Sequence, residues 1–187
     1  MIYPNAQRRI DAHLQEGKQV GPLYHWASDP GTEMILRSNK FKGDPYVSFT
    51  RDKQFSFMKD GIWQKWRFTL DGDKIGEKHK IGPYSDYQRG YSRVGKRGSE
   101  SEERVTLRKG ETLGPLSKFA YLLEYFGTGD LNASVKAYVY YKKHGEEATM
   151  TKYGYHHQFS LGDDLYVARI VLAAKKRGIP VKKSTSL

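Results

Sequence analysis

The chain has 187 residues and is 37% hydrophobic, with 14 Tyr, 8 Phe and 3 Trp, enough for one domain with a tyrosine-rich core whose hydroxyls need partners or water. It contains no cysteine, which excludes disulfides, zinc–cysteine sites and thiol catalysis and fits a reducing, cytoplasmic compartment. Its 32 Lys+Arg against 21 Asp+Glu give a net charge of +11, a balance that attracts polyphosphates and acidic surfaces. No apolar run reaches the roughly 18 residues of a membrane span. Residues 1–19 carry Arg8, Arg9, Asp11 and Glu16 without an apolar stretch, unlike a secretory signal.

Residues 5–17 read as a short amphipathic helix, with Ala6, Ile10 and Leu14 about one turn apart. Gly21-Pro22 breaks it, and Leu23 to Trp26 reads as a strand. After the turn Asp29-Pro30-Gly31, Asp29 or Thr32 caps a helix running to about Asn39, with Met34, Ile35 and Phe41 expected against a sheet. Tyr46 to Thr50 is a second strand, and Asp52 to Lys59 a helical turn. Trp63 to Leu70 alternates with a period of two, as a strand does. Asp71-Gly72-Asp73 turns the chain, and Ile75 to Ile81 reads as a weaker strand.

Residues 82–99, with Gly82, Pro83, Gly90, Gly95 and Gly98 and almost no aliphatic residue, read as a long loop, a kind of segment that usually carries function or is disordered. Glu102 to Leu107 is a strand. Leu116 to Phe126 is apolar, and periodicity leaves strand and helix open. Asn132 to Lys143 and Asp163 to Arg177 read as helices. The second has Asp163 and Asp164 at its start and Lys175, Lys176 and Arg177 at its end, as the helix dipole favours, and Gly178 and Pro180 stop it. Lys182 to Leu187 is expected to fray. The excess charge concentrates in the long loop, where Arg89, Arg93, Lys96 and Arg97 lie among Tyr84, Tyr87 and Tyr91, and in the stretch from Lys175 to Lys183.

Three segments combine reactive polar groups with strand-like surroundings: Leu23-Tyr24-His25, Ser48-Phe49-Thr50-Arg51-Asp52 and Glu100-Ser101-Glu102-Glu103-Arg104. The first, followed by Glu33-Met34-Ile35-Leu36-Arg37-Ser38-Asn39, resembles the opening of ADP-ribosyltransferase-type domains. Val47-Ser48-Phe49-Thr50 is similar to the serine-x-threonine/serine motif on their second strand, and Glu100-Ser101-Glu102 to their Glu-x-Glu motif. The resemblance covers about residues 23–126. It implies an α+β fold with a split, twisted sheet, to which residues 127–187 add a helical extension with a basic tail. It also implies NAD as substrate, with ADP-ribose passed to a macromolecular acceptor. Two departures stand out. A Glu-x-Glu site usually pairs with arginine where this chain has His25, and a histidine site with tyrosine where it has Ser48-Phe49-Thr50.

Breaking the nicotinamide–ribose bond builds positive charge on the ribose, which a fixed carboxylate stabilises. The resemblance gives that role to Glu102, with Glu100 holding or deprotonating the acceptor. It gives His25 contacts to the ribose hydroxyls or phosphate, and Ser48 and Thr50 support of the carboxylate and nucleotide. The planar fork of Arg51 suits the pyrophosphate. Strand alternation puts positions 100 and 102 on one side and Glu103 on the other. Tyr84, Tyr87, Arg89, Tyr91, Arg93, Lys96 and Arg97 form the expected substrate-binding loop, which suits phosphate contact with base stacking, or an acidic protein surface. Glu-x-Glu points to a protein arginine acceptor and the basic tyrosine loop to nucleic acid. His144, His156 and His157 lack metal-ligand spacing, and no phosphate-binding glycine loop occurs. The competing reading is a non-catalytic nucleic-acid-binding protein that uses the basic loop and tail.

Overall fold

A computed structural model describes residues 20–43, 45–51, 53, 64–83 and 102–184, and the backbone alone of Pro83 and Glu102. The predicted helix over 5–17, the turn after Asp52 and nearly all of the long loop lie outside these residues.

The chain is α+β. Among the described residues, seven strands form one mixed sheet in the order β4-β5-β2-β1-β3-β6-β7. They are β1 (Pro22–Ala27), β2 (Tyr46–Thr50), β3 (Trp66–Asp71), β4 (Ile81–Pro83), β5 (Glu102–Thr106), β6 (Ala120–Tyr125) and β7 (Val181–Lys183). The helices are α1 (Asp29–Ser38), α2 (Gly72–Gly76), α3 (Leu131–Tyr153) and α4 (Gln158–Lys176). All neighbouring strands pair antiparallel except β6 and β7, which run parallel across the connection that α3 and α4 supply.

Strand β3 lies inside the sheet between β1 and β6, and its residues Trp66 to Leu70 are buried on both sides. Register assigns the faces. His25 pairs with Phe68, Leu23 with Leu70, Phe68 with Leu123 and Trp66 with Tyr125. These residues share the face that packs, in one continuous core, with Ile35 and Leu36 of α1 and Val167, Ile170 and Ala174 of α4. The C-terminal helices therefore close the same core as the sheet. Helix α1 is capped by Ser28, whose hydroxyl accepts from the Gly31 amide at 3.3 Å, and stops at Asn39 in the left-handed conformation (φ 58°). Asp29 instead accepts from the Trp66 indole at 2.7 Å and pairs with Lys65 at 3.3 Å, which ties the helix start to β3.

Four expectations are corrected. Met34 is 61% exposed, because Ile35 and Leu36 occupy the inward side of α1. Residues 75–81 are not a strand: Asp71 caps a helical turn at the Lys74 amide, so α2 intervenes before β4 begins at Ile81. Gly72 is required there, since a Cβ would fall 2.4 Å from the Gly21 carbonyl oxygen. Lys182 and Lys183 do not fray; they belong to β7, and Ser184 donates to Glu124 at 2.9 Å. Both C-terminal helices start before their predicted limits, α3 also runs on past Lys143, and α3 is broken at Gly145 (φ 82°, ψ −177°).

The opposite face of the central strands is polar where it is most buried. Arg67 lies across from Trp26 and Glu124 and donates twice to Glu124, from Nε at 3.0 Å and from a terminal nitrogen at 2.5 Å. A third donation goes to the Lys53 carbonyl oxygen. Its guanidinium lies 5.3, 5.2 and 4.8 Å from the ring centres of Tyr24, Trp26 and Phe126, a cation–π enclosure. Burial pushes the Glu124 carboxyl up, but the bonds from Arg67 and Ser184 outweigh it and hold the group below the usual carboxylate range. Replacing Arg67 alone by Met strands a buried carboxylate and is expected to cost about 3–5 kcal/mol of stability in urea unfolding. Adding Glu124→Leu is expected to recover much of that loss. Equal stability of the single and double variants would show that the pair does not act as a unit.

Candidate functional site

The three motif-bearing strands lie side by side as β1-β2-β5. Tyr24 pairs with Thr50, and Thr50 pairs with Glu102, so positions 24, 50 and 102 form one row across the strands. Ser48 pairs with Arg104 in the row beside it. Thr50 is buried and Ser48 half-buried.

His25 belongs to the other face. Its Nδ1 donates to the Ser48 carbonyl oxygen at 3.2 Å. Its ring meets Phe41 and Phe49 edge-on, with centroids 4.9 and 5.7 Å away. Burial lowers its pKa, opposed by the hydrogen bond to Ser48; it is a neutral histidine fixed among aromatic rings. His25 was expected at the ribose hydroxyls or phosphate of the nucleotide, whereas the structure joins it to Ser48 through the backbone and places its ring with Phe49. Alternation carried the signal: Leu23, His25 and Ala27 follow one another at the core-facing period.

Arg51 and Glu103 are the second departure from the expected grouping. The Arg51 Nε donates to a Glu103 carboxylate oxygen at 2.5 Å, with the Glu103 side chain 1% exposed. Glu103 pairs with Phe49 and Val105 with Val47, so this carboxylate sits in the apolar row. Arg51 was expected at a pyrophosphate; its guanidinium meets Glu103 at the start of β5. Sequence reasoning missed that Glu103, Val105 and Leu107 form the buried series. Beside them, Arg104 lies 3.8 Å from the centre of the Tyr46 ring. Glu100, Tyr84, Tyr87, Arg89, Tyr91, Arg93, Lys96 and Arg97 lie outside the described residues.

The arrangement offers a row of hydroxyl groups leading to a carboxylate position, on strands whose register a buried ion pair fixes. Among the described residues no group of three His, Asp or Glu is placed to hold a metal ion, and no helix is long and apolar enough to cross a membrane.

A histidine whose folded pKa is depressed takes up its proton first in the unfolded chain. His25 therefore contributes stability that is complete above about pH 6.5, the unperturbed value, and declines as pH falls towards its folded value. Urea midpoints measured between about pH 7.5 and 5 are expected to fall for the natural chain and to fall less for His25→Leu. Parallel curves would mean that His25 is protonated alike in both states.

Compared with models of known protein families, with curated proteins and with solved structures, the chain matches none.

Proposed function

We propose that this chain is an ADP-ribosyltransferase-like enzyme that transfers ADP-ribose from NAD to a macromolecular acceptor, and that β1, β2 and β5 form its nucleotide platform. The observation that carries the reading is the row of Tyr24, Thr50 and Glu102 across adjacent strands. Three motifs far apart in sequence meet there in the order in which they were read. A reducing, cytoplasmic setting suits a chain without cysteine.

In this scheme the bond from the nicotinamide nitrogen to the ribose C1′ breaks and nicotinamide leaves as a neutral molecule. Its electron pair goes to the ring nitrogen, and positive charge develops on the ribose. Glu102 supplies the carboxylate that stabilises that charge, and Ser48 and Thr50 offer hydroxyls to the nucleotide and to that carboxylate. Glu100, two residues earlier, receives the proton of the acceptor nucleophile as its bond to C1′ forms. Arg51 and His25 act behind this surface. One is tied to Glu103 and the other to the Ser48 carbonyl oxygen, so both position β2 between its neighbours.

Glu102→Gln removes the charge and keeps the shape. Release of nicotinamide from labelled NAD is expected to fall about 100-fold to 1,000-fold, with unfolding unchanged. Glu103→Gln weakens the contact with Arg51, and its main expected effect is a loss of about 1–3 kcal/mol in stability. Equal NAD turnover by the natural chain and Glu102→Gln, or no turnover by either, would remove this assignment.

A further inference from the structure

We infer that the broken helix α3 carries a binding surface for single-stranded nucleic acid, built on Tyr140 and distant in sequence from the β1-β2-β5 row. In an unbroken α-helix, residues 13 apart lie about 20 Å apart along the axis. Tyr140 and Tyr153 nevertheless have ring centroids 5.8 Å apart, because the chain doubles back at Gly145. The reversal assembles a platform: His144 stacks on Tyr140 at 4.1 Å with an interplanar angle of 26°, and the Lys152 ammonium lies 4.1 Å from the centre of the same ring.

The platform is held from below. Asp164 of α4 accepts from Ser134 at 2.7 Å and from the Tyr155 hydroxyl at 2.5 Å, one residue on each side of the break. Ala137, Thr149 and Leu161 are buried. Tyr140 is only half-buried, while His144, Lys152 and Tyr153 are exposed. Tyr140, His144 and Lys152 border a cavity of about 550 Å³ that Glu147 and Thr151 also line. Lys136, one turn before Tyr140, and Lys143 are exposed as well.

Clustered aromatic rings, flanked by lysines on a fixed support, are what single-stranded nucleic acid uses: bases stack on the rings and phosphates meet the ammonium groups. On binding, a base takes the ring face that Lys152 covers, and Lys152 moves to the adjoining phosphate. Glu147 supplies an acceptor for a base amino group, as carboxylates do for cytosine. An acidic peptide has no use for the rings. A duplex keeps its bases stacked inside and cannot engage Tyr140.

The inference does not depend on NAD chemistry, and its test is run without NAD. The probe is a labelled oligonucleotide of about 20 unpaired nucleotides, enough to cover one or more binding sites, read by fluorescence anisotropy at low salt. Tyr140→Phe is expected to bind like the natural chain, and Tyr140→Leu about tenfold more weakly with an unchanged salt slope. Lys152→Gln is expected to flatten the slope by up to about 0.7 for its one phosphate contact. A bromouridine-substituted oligonucleotide is expected to photocrosslink within residues 136–155. The inference is overturned if Tyr140→Leu, folded by circular dichroism, binds as the natural chain does, or if crosslinks fall only in other segments. It is equally overturned if polyglutamate or anionic vesicles bind more tightly than the oligonucleotide in a Tyr140-dependent way.

Discussion

The ion pair between Arg51 and Glu103 joins the end of β2 to the start of β5, and the register of the motif strands depends on it. A carboxylate that is 1% exposed is costly unless a cation meets it at close range. Such a pair adds little net stability over an apolar substitute, yet it penalises every arrangement that separates its members. A one-residue slip between β2 and β5 would move Glu103 to the opposite face and strip it of Arg51. The observed register sets Phe49 against Glu103, Ser48 against Arg104 and Thr50 against Glu102. His25 acts similarly on the other side of β2, through the Ser48 carbonyl oxygen and the Phe49 ring.

A second buried pair, Arg67 with Glu124, performs the same task between β3 and β6. Both pairs are shared between elements distant in sequence, and both lie where a misregistered sheet would leave a charge alone. The sheet is thus specified by apolar alternation on the helix-covered face and by ionic matching at two cross-strand positions. The helical C-terminal half belongs to the same solution. Residues of α4 complete the main core, and β7 extends the sheet beyond β6. Helix α3, by contrast, buries little beyond Ser134, Ala137 and Thr149, which leaves its aromatic and basic residues to the surface.

Local pattern made much of this legible. The alternation from Trp66 to Leu70, the aromatic run of β2 and the glycine stop after α4 each reflect forces acting within a few residues. Ile75 to Ile81 was misread because its apolar ends resemble a strand, whereas the Asp71 cap and the close approach of Gly72 to Gly21 favour a helical turn. Lys182 and Lys183 look like a solvated tail, and only the parallel edge of β6, reached after two helices, makes them a strand. In the site, the three strands that carry the motifs were readable. The partners of Arg51 and Arg67 were not, since each carboxylate is more than 50 residues away and nothing local distinguishes a buried carboxylate from a solvated one.

The account centres on a nucleotide surface across β1, β2 and β5. Its most direct test is an NMR titration of the isotope-labelled chain with NAD, following backbone amide shifts. The account predicts saturable changes concentrated at Tyr24, Ser48, Thr50 and Glu102, along the row that register defines. Shifts confined to other strands or to the C-terminal helices, or no shifts with NAD in large excess, would contradict it.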